Sequence, residues 1–161
     1  MSKTKAAYLR KRLTDRQIET VYDHMTTMDG IDYGAVWLIA YGGKVNTVDP
    51  AATALPQRDS IIKANFMTGW ANPANEAKHL DWVRRLYADV YAETGGVPVP
   101  SDNSDGSYIN YADKDLADPA LNRSGVPWHD LYYKGNYPRL RKVKAAYDPR
   151  NVFRHGLSIQ A

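Results

Sequence analysis

Apolar positions along this chain follow two rhythms, strict alternation in some stretches and helical spacing in others. Ala6-Ala7-Tyr8-Leu9 predicts a first strand. Thr14 stands three residues before Gln17, a capping-box pattern. Ile18, Val21, Tyr22 and Met25 then recur at i, i+3, i+4 and i+7, which predicts an amphipathic helix ending at Met28-Asp29-Gly30. Ala35 to Tyr41 is almost continuously apolar and predicts a buried strand. Gly42-Gly43 turns the chain into Lys44-Val45-Asn46. Residues 47–58, with Pro50 and Pro56, read as an excursion loop.

Ser60 to Trp70 alternates, with Ile62, Ala64, Phe66 and Thr68 on one face and Lys63, Asn65 and Met67 on the other. Asn72 suits an N-cap and Pro73 a first helical position, so the longest helix starts there. Leu80, Val83, Leu86, Tyr87, Val90 and Tyr91 form its apolar stripe, and Gly95-Gly96 stops it. Val97-Pro98-Val99-Pro100 is extended. Ser107 to Asp113 reads as a short strand between the Asp105-Gly106 turn and an acidic loop (Asp113, Asp115, Asp118). On a strand, Tyr108 and Asn110 share one face and Tyr111 lies on the other with Ile109. Residues 115–130 read as a long ordered loop. Pro138 opens a last helix carrying Leu140, Val143 and Lys144, which Asp148-Pro149 stops.

This order of strands and helices predicts an α+β fold, an antiparallel sheet with helices packed on one face. A single domain spans 1–161, with 1–105 as its main part and 106–161 as a C-terminal segment. The other sheet face is then free to cover something, or to meet a partner chain or a second copy.

At 161 residues and 43% hydrophobic, the chain is long enough for one core and short for two. It has no cysteine, which excludes disulfides, thiolate nucleophiles and cysteine metal sites. Its longest apolar run is too short to span a bilayer, and no apolar stretch follows the basic start, so no membrane span or signal peptide is expected. A cytoplasmic location is the default. The net charge of +3 comes from mild basic clusters at Lys3–Arg16 and Lys134–Arg154. Acids intersperse them and no nucleic-acid motif accompanies them, so they read as solvated helical faces. The four histidines lack metal spacing, and neither Gly-Gly pair opens a phosphate loop. Asp113, Asp115 and Asp118 lack the glycine and glutamate of a calcium loop and read as a solvated acidic loop.

Tyr108-Ile109-Asn110-Tyr111-Ala112-Asp113-Lys114-Asp115-Leu116 resembles the Y-x-N-Y-x-D-x-D-L signature of berberine-bridge-enzyme-like flavin oxidases. Tyr132-Tyr133-Lys134-Gly135-Asn136-Tyr137-Pro138-Arg139-Leu140 is similar to that family's Y-Y-x-G-N-x-x-R-L. Val143 to Phe153 resembles its V-K-x-x-Y-D-P-x-N-V-F. Upstream, Tyr41-Gly42-Gly43, Pro56-Gln57-Arg58 and Thr94 to Pro98 are similar to bacterial members. Members often end in Q-S-I where this chain has Leu157-Ser158-Ile159.

The resemblance implies the substrate domain and closing segment of a larger oxidase. In the family, a separate N-terminal domain binds FAD, often covalently through a histidine and a cysteine, and those residues have no counterpart here. FAD is therefore expected only if a missing N-terminal part or a partner chain supplies its binding domain. The implied activity is oxidation of an alcohol or a secondary metabolite, a small-molecule substrate, with O2 as acceptor. Tyr111 matches the tyrosine that serves as general base in many members. A phenol ordinarily ionises near ~10, so that role needs a cationic or ionisable neighbour. Tyr41 is implied as a second phenol, and Asn110 and Asn136 as flavin contacts. Trp37 and Trp70 read as core or as pocket lining. Two other outcomes stay open. One is a flavin-free domain running cyclisation, dehydration or isomerisation by acid-base chemistry; the other is a non-catalytic binding subunit.

Overall fold

The computed structural model describes residues Met1–Ala161. Three strands, β1 (Ser2–Leu9), β2 (Tyr33–Ala40) and β3 (Ile62–Gly69), form one antiparallel sheet in the order β1-β3-β2. The register pairs Ala7 with Ala64 and Lys5 with Phe66 on one side, and Leu38 with Ala64 and Trp37 with Asn65 on the other. Two helices, α1 (Asp15–Thr26) and α2 (Glu76–Val90), cover one face. The predicted α+β class and one-sided helix packing are thus present.

Local chemistry explains the helices. The Thr14 side chain accepts the Gln17 N–H at 3.3 Å, and the Gln17 side chain accepts the Thr14 N–H at 3.0 Å, closing the capping box of α1. Asn72 accepts the Ala74 N–H at 3.0 Å above a 3-10 turn, Pro73–Asn75, that feeds α2. The stripe Val83, Leu86, Tyr87 and Val90 of α2 then seats on Ala7, Leu9, Ala64 and Phe66. Leu116, Leu131, Tyr132 and Leu157 join the same buried cluster, so the C-terminal segment shares the core. Two further helices, α3 (Trp128–Tyr133) and α4 (Tyr137–Tyr147), carry that segment.

The predicted strand at Ser107–Asp113 is absent. Residues 104–107 instead run along the outer edge of β1, where the Tyr8 N–H meets the Gly106 carbonyl at 2.9 Å and the Ser107 hydroxyl meets the Ala6 carbonyl at 2.8 Å. Gly106 has φ +79°, and a Cβ there would lie 2.0 Å from the Leu131 carbonyl oxygen, so only glycine lets the chain pass. Ile109–Tyr111 then forms a 3-10 turn. Side chains three apart eclipse in such a turn, so Tyr108 and Tyr111 stand together and not on opposite faces. The free edge of β1 is available, but the chain leaves it at Ser107, whose N–H turns away to the Leu131 carbonyl at 2.8 Å.

Three other expectations also change. Ala35 to Tyr41 is not a buried strand: β2 lies at the sheet edge, and Trp37, Leu38 and Ile39 are exposed. Its apolar run faces a surface that no element of this chain covers. Asp113 and Asp115 are not a solvated loop but are buried, and the ammonium groups of Lys3 and Lys5 meet both of them. Lys3 and Lys5 correspondingly belong to β1 and not to a solvated helical face. Charge runs read as solvated only when no opposite charge returns from far along the chain, and here it returns from about the two-thirds point.

Candidate active site on the open sheet face

Alternation sends Tyr8 of β1, Lys63, Asn65 and Met67 of β3, and Trp37 and Ile39 of β2 to the face without helices. Tyr41 continues this side beyond β2, its N–H bonded to the Ile61 carbonyl at 2.9 Å. The edge segment adds Tyr108 and Tyr111 from above. Four phenol rings therefore stand in a chain of edge contacts: Tyr41 to Tyr8 at 4.9 Å between centroids, Tyr8 to Tyr108 at 5.7 Å, and Tyr108 to Tyr111 at 5.5 Å. The Lys63 ammonium lies 4.4 Å from the centroid of Tyr108 and 5.6 Å from that of Tyr111.

The four phenols differ in environment. Tyr8 is buried, and burial, with Tyr41 and Tyr108 beside it, holds its phenol far above the ordinary range, so it is a neutral floor to the site. Burial also raises Tyr41, whose hydroxyl donates to the Gln57 carbonyl at 3.0 Å. With its proton committed, the Tyr41 oxygen presents lone pairs and can accept a hydrogen bond from a hydroxyl group. The Tyr108 oxygen accepts from the Asn110 amide at 2.7 Å, which leaves its own proton free to donate. Tyr111 is 37% exposed, the one ring of the four open to solvent at the level of an outward-facing side chain.

The structure brings Tyr41, Tyr111 and Asn110 to this face, and it places Asn136 elsewhere. The Asn136 amide donates to the carbonyls of Pro50 at 2.7 Å and Thr53 at 2.9 Å, bracing the excursion loop. It lines an adjoining cavity of about 680 Å3 with Arg10, Arg58, Asp59 and Lys134. Trp37 belongs to the open face, whereas Trp70 is buried and stacks on His79 at 5.3 Å. Lys63 and Tyr8 were not singled out by their sequence context. The available signal was the alternation of β3, which sends Lys63 away from the Ala64 and Phe66 stripe.

The residues present fit one end of FAD. An open, aromatic face with a cation suits a flat ring lying against it. They do not form a phosphate cradle, since Gly42-Gly43 precedes only a 3-10 turn and Gly95-Gly96 precedes the extended Val97-Pro98.

The helix-free sheet face, edged by a segment that carries the paired rings of Tyr108 and Tyr111, is thus the part of this chain best formed to meet a ligand or a partner. Residues 107–160 match the family model described as "Berberine and berberine like", which places this C-terminal part of the chain in the berberine-bridge-like family. It is similar, at 82% identity and a TM-score of 0.97, to the solved structure of a glycopeptide hexose oxidase complexed with teicoplanin, covering 99% of this chain and 32% of that one. It is 54% identical to aclacinomycin-N/aclacinomycin-A oxidase of Streptomyces galilaeus, over 99% of this chain and 29% of the relative. It is 33% identical to hexose oxidase of Chondrus crispus, over 98% and 31% respectively. The chain thus spans about a third or less of the length of these proteins. No helix is long and apolar enough to cross a membrane.

Proposed function

We propose that this chain supplies the substrate-facing part of an FAD-dependent oxidase that oxidises a hydroxyl group of a glycosylated secondary metabolite, with a hexose on a glycopeptide as the favoured class. The observation that carries the reading is the Lys63 ammonium held over the rings of Tyr108 and Tyr111 on the open sheet face. A cation beside a phenol favours its phenolate, the form that can accept a proton from an alcohol. Tyr111 is the general base, being the exposed member of the pair. Tyr108 and Asn110 hold its ring in place. Tyr41 orients the substrate hydroxyl by accepting from it or from a neighbouring sugar hydroxyl. FAD, when bound, supplies the acceptor for the hydride that leaves the alcohol carbon, and O2 takes the electrons onward. Trp37, Ile39 and their neighbours are the surface against which the FAD-binding part and the substrate pack. The similarity to a glycopeptide hexose oxidase and to aclacinomycin oxidase supports the substrate class.

The test uses the full-length flavoenzyme. Teicoplanin, aclacinomycin A and glucose are each mixed anaerobically with it, and bleaching of the flavin band is followed. Reduction by teicoplanin at the highest kcat/KM is expected. No bleaching by any of the three would overturn the assignment.

A further inference from the structure

The segment that carries Tyr111 hooks over the free edge of the sheet. At its start, Tyr108 lies against Tyr8 on the open face. At its end, Asp113 lies on the opposite, helix-covered face, where its two carboxylate oxygens accept from Lys3 and Lys5 at 2.5 Å each. Alternation along β1 is what separates these contacts, since Tyr8 and Lys5 point to opposite sides. Ile109–Tyr111 is the part that rounds the edge.

The far end of the hook is pinned more tightly than its length requires. The Asp113 N–H donates to the buried Tyr132 hydroxyl at 3.0 Å, and its carboxylate accepts the Asp115 N–H at 3.1 Å. Lys5 is 3% exposed and also donates to Asp115 at 2.9 Å. Arg84 of α2 grips Asp115 through two contacts of 3.0 Å. A buried ion pair is a poor source of net stability, because desolvation offsets its attraction, and apolar groups of like size would serve the core as well. What such a pair does supply is a fixed position. Only Ala112 separates Asp113 from Tyr111, so a displacement at the pin reaches the phenol through two peptide links.

We infer that Lys5 and Asp113 are positioning residues for the reaction: from the back of the sheet they set where the Tyr111 ring stands relative to Lys63 on the front. The inference rests on the reading of Tyr111 as the base. It assigns a catalytic consequence to two side chains that touch neither substrate nor cofactor. It also gives the acidic half of the Y-x-N-Y-x-D-x-D-L stretch a purpose in this chain, as the anchor for its tyrosines.

The test again uses the full-length flavoenzyme with teicoplanin, or with whichever of the three probes reduces the wild type fastest. Asp113→Asn keeps the side-chain shape and the contact to Asp115 while removing the charge. Lys5→Met keeps the length of the side chain. In both, kcat for anaerobic flavin reduction should fall about tenfold or more while KM changes less than about threefold, because misplacing a reacting group by a fraction of an ångström already costs rate. The double variant Lys5→Met/Asp113→Leu separates position from stability. It should recover the denaturation midpoint of the wild type and not its kcat. If a single variant fails to fold, the double variant and Lys3→Met, at the more exposed end of the network, decide the matter. Wild-type kcat in the folded double variant, or in both Asp113→Asn and Lys3→Met, would overturn the inference. Tyr111→Phe is run in parallel. An inactive Tyr111→Phe beside fully active anchor variants removes only the positioning role, whereas an active Tyr111→Phe removes the base assignment itself.

Discussion

The two faces of the sheet use the same three strands in opposite ways. On the helix side, two polar networks are closed on themselves, although Trp82 Nε1 and the Tyr91 hydroxyl are buried without a partner. The Thr68 hydroxyl donates to the Tyr33 carbonyl at 2.8 Å and therefore accepts from His79 Nδ1 at 2.6 Å, while His79 Nε2 faces the Asp32 N–H at 3.4 Å. Lys5, Asp113, Asp115 and Arg84 close a second network. On the open side, Lys63 has aromatic rings as neighbours, and the buried Asn65 carbonyl oxygen has no hydrogen-bond partner. Buried polar groups are ordinarily paired. What sets the open face apart is that Trp37, Ile39 and Tyr111 are exposed on it with no element of this chain over them, so it is built toward something outside this chain. One face holds the fold together and the other is held ready.

Substitutions made in the full-length enzyme can break that division, and the largest effect is expected at Tyr111. Tyr111→Phe should lower turnover by about 100- to 10,000-fold, the usual scale for losing a general base, with the denaturation midpoint unchanged. A comparable shift in stability instead of rate would place Tyr111 with the structural face. Phe66→Ala, on the helix side, should do the reverse and cost about 3–5 kcal/mol of stability in urea titration, because the ring is fully buried between the strands and α2. Lys63→Met should slow flavin reduction by about tenfold with the denaturation midpoint little changed, since it removes the ammonium held over the rings of Tyr108 and Tyr111. An unchanged rate would detach Lys63 from the chemistry.

Two smaller effects sharpen the comparison. The Asp115 carboxyl is buried, which alone would raise it. Hydrogen bonds and charge from Arg84 and Lys5 outweigh that burial and hold it far below the ordinary carboxylate range. A group lowered in the fold stabilises above its unfolded value and loses that contribution as pH falls through the folded one. Stability should therefore decline with acid from about pH 4 downward, and Arg84→Met should flatten the decline while costing about 1 kcal/mol at neutral pH, because Arg84 itself is partly exposed. Thermal or urea midpoints between pH 2 and 7 check this. Trp37→Ala in the full-length enzyme should cost about 1 kcal/mol, more than its half-exposed ring in this chain would suggest, because the FAD-binding part is proposed to pack on it. A change below about 0.5 kcal/mol would show that nothing covers this ring.

Much of the architecture was legible in the residues alone. The capping box at Thr14 and Gln17, the stripe of α2 and the alternation of β3 are local patterns, and each element they predict is present. The motif series from Tyr108 onward likewise pointed to the berberine-bridge-like family before any contact was known. Tertiary structure decided what local pattern cannot carry. Whether Ser107–Asp113 pairs as a strand depends on long-range contacts, and the chain leaves the edge of β1 at Ser107, where its N–H bonds the Leu131 carbonyl. Whether Asp113 and Asp115 are solvated depends on Lys3, Lys5 and Arg84 arriving from distant parts of the chain. Whether Tyr41, Tyr108, Tyr111 and Lys63 share one face depends on the strand order and register. Alternation told which residues would lie together on each strand, because it is a property of the extended backbone. Which face would be covered, and by what, rests on long-range packing, and that is set only when the whole chain closes on its core.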